Sequence, residues 1–94
     1  ESIAISRIFN QKMPLICSTK SYTGHTLAAS GGIEAVFSIL SIKEGFVPES
    51  LNFAVPMHNG VIPNTSLHRQ EIKTVLSNSF GFGGNCSTLI FSKQ

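Results

Sequence analysis

Lys20, Gly24 and His25 lie close together in the chain, between a short apolar run and the start of a long apolar segment. In an α/β protein, the passage from a strand into a helix is where catalytic groups are commonly presented. Amides and the dipole at a helix start disfavour a proton on an imidazole. His25 is therefore expected to be neutral and to donate one hydrogen bond to an oxyanion developing on a carbonyl. The chemistry this predicts is carbonyl chemistry. The same spacing also fits a plainer arrangement in which His25 caps the helix and Lys20 is solvated, and spacing alone does not choose.

A second constellation is Phe80-Gly81-Phe82-Gly83-Gly84. Glycines let backbone N–H groups approach a ligand atom closely, so an amide here could complete an oxyanion hole. The pattern lacks the strand-to-helix setting of the nucleotide-binding glycine motifs, which disfavours a nucleotide cradle. A glycine-rich turn between strands is also a common structural device, and that alternative stays open. Glu34 is the third candidate. It sits in a segment nearly bare of charge, where a buried carboxylate must be paired or ligated, although an exposed glutamate would satisfy the sequence as well. Cys17 and Cys86 are far apart with no Cys-x-x-Cys pair, which argues against a zinc site or redox motif, and both are read as inert packing residues. His58 and His68 fit no motif and are expected on the surface.

The elements that must position these residues follow from the apolar pattern. Residues 1–9 place Ile5, Ile8 and Phe9 at helical spacing, with an end expected before Pro14. Leu15, Ile16 and Cys17 read as a short buried strand. From His25 to Glu44 the apolar residues leave almost no polar face, which predicts a helix buried on several sides. The small residues Ala28, Ala29, Ser30, Gly31 and Gly32 near its start would allow close backbone packing. Gly45 fits the left-handed position after that helix, with Pro48 beyond. Residues 46–70 read as a long connection with a short extended piece around Leu51 to Val55. Ile72 to Leu76 and Thr88 to Phe91 read as two strands flanking the glycine loop, a hairpin-like pair. The class is α/β.

With 94 residues the chain has room for one small core, and that core would be marginal without outside support. It opens on Glu1 within a helical pattern, so it reads as a piece of a longer polypeptide. Hydrophobic residues make up 41% and charged ones 13%, too apolar for a disordered tail and poor in charge for a free-standing surface. The net charge is +2 and the basic residues are scattered, so nucleic acid is not an expected partner. No apolar run reaches bilayer length and no secretion signal opens the sequence, so no membrane association is expected and the default location is the cytoplasm.

The segment Ser18-Thr19-Lys20-Ser21-Tyr22-Thr23-Gly24-His25, followed by small residues, resembles the histidine motif of the β-ketoacyl-acyl carrier protein synthases, condensing enzymes of the thiolase fold. Asn78-Ser79-Phe80-Gly81-Phe82-Gly83-Gly84 resembles their closing loop, and the likeness spans nearly all 94 residues. It implies that residues 1–94 are the C-terminal part of a thiolase-like α/β domain, incomplete by itself, made of helix, strand, buried helix and antiparallel strand pair. It implies a decarboxylative Claisen condensation between a malonyl group on an acyl carrier protein and an acyl group on an enzyme cysteine, with no consumed cofactor. By this resemblance His25 stabilises the malonyl-derived enolate and Lys20 supports the charge around it. Phe82 supplies an oxyanion-hole amide and an acyl-pocket gate, and Phe80, Phe82 and Gly83 contact substrate. Glu34 with Ser77 and Asn78 takes a structural role, in some members around a monovalent cation.

The nucleophilic cysteine and a second histidine are expected upstream of Glu1, so the piece alone is expected to be inactive. Asn85-Cys86 departs from the family's usual Thr-Asn, and residues 53–66 lack the acidic character common there. Thr23-Gly24-His25 favours the fatty-acid type over modular polyketide synthases. A chain-length factor or other partner without the nucleophile is the non-enzymatic alternative, and an independent binding module is the alternative of a different class. The resemblance also implies the remainder of the synthase chain and a second identical subunit as partners.

Overall fold

The computed structural model describes residues 1–94. It begins with α1 (Ser2–Phe9), which stops before Pro14 as the apolar spacing predicts. A one-turn helix, α2 (Lys20–Thr23), closes on Gly24, and a 3₁₀ turn over Leu27–Ala29 leads into α3 (Ser30–Glu44). Two short strands, β1 (Phe46–Val47) and β2 (His68–Arg69), pair antiparallel across the long connection. A hairpin of β3 (Thr74–Phe80) and β4 (Cys86–Ser92) ends the chain.

The C-terminus of α3 shows how local chemistry dictates the chain path. Gly45 adopts φ 66° and ψ 55°, and its amide donates to the carbonyl of Ser41 at 3.0 Å. A β-carbon there would stand 3.0 Å from the carbonyl oxygen of Gln70. Both the left-handed backbone and the close approach of β2 call for glycine, as expected.

Four expectations change. The Leu15–Cys17 run is not a strand: a ladder needs a neighbouring backbone, and only one backbone bond forms here, from Asn64 N to the carbonyl of Ile16 at 2.6 Å. No extended pairing occurs at Leu51 to Val55; it falls instead at β1 and β2. The hairpin strands run into the glycine motif, pairing Ser77 with Leu89, Asn78 with Thr88 and Phe80 with Cys86, which shortens the loop to residues 81–85. Cross-strand pairing outweighed the turn propensity of Ser77, Asn78 and Ser79.

The fourth change concerns α3. The predicted helix start at His25 is displaced to the 3₁₀ turn and then Ser30, and the helix is not enclosed. Its buried residues are Ser38 and Ser41, while Val36, Ile39 and Leu40 are exposed. Gly31, Glu34, Ser38, Ser41 and Gly45 fall at alternating spacings of three and four, which places them on one helical face. A β-carbon at Gly31 would lie 3.5 Å from the Ser79 hydroxyl oxygen, so this small-residue face is the one turned to the hairpin. Val36 and Leu40 line an open groove with Ala28, Ala29, Ile33 and Phe37, while Ile39 borders β4 beside Ile90 and Phe91.

Candidate active site

Lys20 opens α2, and the Gly24 amide closes that turn by donating to the Lys20 carbonyl at 2.8 Å. Gly24 takes φ 72° with ψ 179°, a conformation that turns the chain sharply toward His25. The His25 ring is exposed, and its Nδ1 accepts the amide N–H of Leu27 at 3.0 Å. An Nδ1 that accepts carries no proton, so a neutral ring holds its proton on Nε2, available to donate outward. Leu27 has φ 52°, an unusual value for a branched side chain, and it keeps the amide aimed at the ring. His25 therefore caps the 3₁₀ turn and also presents a donor. The two alternatives left open by the sequence are compatible.

Lys20 is paired and only partly solvated. Its ammonium pairs with Glu34 Oε1 on α3, which also accepts the Ser30 hydroxyl at 3.2 Å. This ion pair spans the loop carrying His25 and ties α2 to α3. Ser77 and Asn78, expected beside Glu34, make no hydrogen bond to it. The Asn78 amide donates to Glu1 Oε1 at 3.3 Å, and its Oδ1 accepts from Thr88 Oγ1 at 2.8 Å. A cation brought to Oε1 of Glu34 would meet the positive ammonium already there, so this donor set does not fit one. The residues also form no cluster of three or more His, Cys, Asp or Glu side chains of the kind that holds a metal ion.

The glycine loop is a tight turn in which the Gly81 amide donates to the Asn85 carbonyl at 2.7 Å, while Gly83 and Gly84 take φ 81° and 84°. The Phe82 amide donates to no acceptor within the chain, and the Phe82 ring is fully exposed, as Phe80 largely is. An amide left free on an exposed turn is what an oxyanion hole requires. Because Gly31 abuts Ser79, the loop before α3 and the turn after β3 lie at one end of the helix–hairpin pair.

Both cysteines are exposed rather than packed, which corrects the expectation of buried residues. Neighbouring atoms nonetheless desolvate one side of Cys17 and push its thiol above the usual range, which leaves it protonated and weakly nucleophilic at neutral pH. His58 and His68 are on the surface, as expected. Sequence reasoning missed Ser30 and Asn64. A Ser four residues before Glu34 on a helix was a readable pairing signal, whereas Asn64 sits in a proline-rich connection with no periodicity to mark it.

Residues 1–54 match the family model described as beta-ketoacyl synthase, C-terminal domain. The chain belongs to the beta-ketoacyl synthase family. It is 41% identical to 3-oxoacyl-[acyl-carrier-protein] synthase 1 of Escherichia coli K12 over 95 aligned positions, covering 99% of this chain and 23% of that protein. It is 38% identical to the mitochondrial 3-oxoacyl-[acyl-carrier-protein] synthase of Arabidopsis thaliana, covering 98% of this chain and 22% of the relative. The chain thus spans less than a quarter of the length of the curated synthases it matches. A solved type II polyketide ketosynthase, in complex with its acyl-carrier protein and bound to the hexaketide, superposes with a TM-score of 0.85 at 34% identity. The match covers 97% of this chain and 23% of that one. The architecture is therefore that of the C-terminal part of a ketosynthase of thiolase-like fold. No helix of the beta-ketoacyl synthase chain is long and apolar enough to cross a membrane.

Proposed function

We propose that this chain forms the C-terminal part of a 3-oxoacyl-acyl carrier protein synthase of the fatty-acid type, in which His25 stabilises the enolate formed by malonyl decarboxylation. The observation that carries the reading is the His25 ring itself, whose Nδ1 is occupied by the Leu27 amide and whose Nε2–H faces outward. Loss of carbon dioxide from the malonyl group leaves its electron pair on the thioester as an enolate. A hydrogen bond from Nε2 strengthens as negative charge builds on that oxygen. The enolate carbon then attacks an acyl thioester held on a cysteine elsewhere in the longer chain. Cysteine sulfur departs as the new carbon–carbon bond forms, and the free Phe82 amide stabilises the oxyanion of that step.

Lys20 holds positive charge near the site while Glu34 limits its reach. Phe80, Phe82 and Gly83 border the substrate side of the turn. The condensation consumes no cofactor. Its partners are an acyl carrier protein bearing the acyl and malonyl groups, the remainder of the chain and a second identical subunit, in the cytoplasm. Retention of Lys20, Gly24 and His25, with higher identity to the 3-oxoacyl synthases than to the polyketide ketosynthase, favours an enzyme of fatty-acid synthesis over a chain-length factor.

The test uses the complete protein. His25→Ala should lower malonyl decarboxylation by roughly 10² or more while acylation of the cysteine changes far less. Equal loss in both half-reactions would remove His25 from the assigned role.

A further inference from the structure

Asn64 is the chain's buried amide side chain, and its backbone N–H, its carbonyl and its side-chain Nδ2 are all engaged. Its backbone amide donates to the carbonyl of Ile16 at 2.6 Å, and its carbonyl accepts from the Ser50 amide at 2.7 Å. Its side-chain Nδ2 donates to the Pro48 carbonyl at 2.8 Å and lies 3.4 Å from that of Val47. One residue thereby joins the segment leading to Lys20 with the turn that follows β1. That turn in turn grips the Lys20 segment on both sides. Ser50 Oγ accepts the Ser18 amide at 3.2 Å, and Ser21 Oγ accepts the Leu51 amide at 3.2 Å while donating to the Ser18 carbonyl at 3.0 Å.

We propose that Asn64 is a positioning residue for Lys20 and His25, acting through the 47–51 turn to hold the one-turn helix α2 in register. The inference rests on the catalytic reading of His25 given above. Four-residue α2 cannot hold its own place, because so short a helix has little intrinsic stability and no buried residue. The Lys20–Glu34 pair ties it to α3, and the 47–51 turn held by Asn64 ties it through Ser18 and Ser21. An amide is required because the Nδ2 must donate to carbonyls. Aspartate at this position would face two carbonyl oxygens with a negative charge, and alanine would leave those carbonyls without a donor. A shift of about 1 Å in a catalytic group is enough to cost on the order of 10² in rate, so slack in α2 would be felt at His25.

The experiment compares Asn64→Ala, Ser50→Ala and His25→Ala in the complete synthase, measuring malonyl-acyl carrier protein decarboxylation, cysteine acylation by an acyl thioester, and the fraction folded. Asn64→Ala should lower the decarboxylation kcat per folded enzyme by tenfold or more, with acylation held within about twofold. Ser50→Ala, which removes only the acceptor of the Ser18 amide, should reduce decarboxylation several-fold and keeps the test available should Asn64→Ala fail to fold. Parallel decline of both half-reactions in the variants, or decarboxylation unchanged in folded Ser50→Ala, would overturn the positioning role. If His25→Ala decarboxylates normally, the reading of His25 fails first. If His25→Ala is impaired and the other two variants are not, only the inference about Asn64 falls.

Discussion

At the residue scale, the chemistry turns on which atoms are already engaged. His25 Nδ1 and Lys20 Nζ each have a partner, so what the chain offers a substrate is one imidazole N–H, one partly neutralised ammonium and the unpaired Phe82 amide. None of these is a nucleophile. Burial on one side raises the Cys17 thiol, so its thiolate is scarce below the raised pKa and accumulates only as pH rises through it. Alkylation of Cys17 by iodoacetamide should accordingly have its half-maximal rate at a pH above that of an unstructured cysteine peptide, and the two should coincide in denaturant. Peptide mapping by mass spectrometry across a pH series would show it. A profile for Cys17 in the complete, folded protein that matches the peptide would refute the desolvation.

At the element scale, the bearing for the site is the contact between α3 and the terminal hairpin. Ser38 donates to the carbonyl of Glu34 at 2.8 Å, so its hydroxyl is satisfied inside its own helix and can be buried without a partner across the interface. Small side chains on this face let Gly31 approach Ser79, which brings the start of α3 against the end of β3. Gly45 ends the helix and sends the chain to β1, from which the turn that frames Lys20 begins. Gly45→Ala should lower the stability of the complete enzyme by roughly 1–3 kcal/mol, from left-handed strain plus the approach to Gln70. Urea unfolding would measure it, and a change under a few tenths would show that the backbone there relaxes freely.

The helix also shows why some elements were legible and others were not. Periodicity located α1, α3 and the hairpin because hydrogen bonding along a helix or across a tight hairpin is decided by near neighbours in sequence. Leu15 to Cys17 has the composition of a strand and yet forms none, because strand pairing needs a second backbone and only Asn64 reaches it. The apolar richness of α3 predicts burial on several sides, and within this chain the covered face is the serine and glycine stripe. Type and spacing raise Lys20, Gly24, His25 and the glycine loop as candidate site residues, and the resemblance to the synthase motifs singles out Phe82 within that loop. The partner of Glu34 was not, since Lys20 lies 14 positions away and meets it only after the chain reverses.

At the scale of the whole molecule, the surface is too large for a finished domain. A closed monomer of 10.1 kDa would expose about 5,300 Å², and this chain exposes 7104 Å², with Ile72 as its buried hydrophobic residue. Val36, Ile39, Leu40, Leu89 and Ile90 are among the apolar side chains left facing solvent. Patches of this extent mark surfaces that other protein covers, in keeping with a chain that spans 23% of its Escherichia coli relative. Expressed by itself, the chain should bind the dye ANS strongly, self-associate on size exclusion and lack a sharp thermal transition. A monomeric two-state melt without dye binding would instead support an independent module.

By itself, the sequence determined where α1 and α3 stop, the hairpin, the left-handed Gly45 and the residue types able to stabilise an oxyanion, because these depend on backbone sterics and side-chain chemistry at short range. Only the tertiary structure decided which face of α3 is covered, that Glu34 pairs with Lys20, and that Asn64 holds the segment before His25. Those outcomes depend on which distant polar atoms meet once water is excluded, and a buried donor takes whichever acceptor the fold brings within reach.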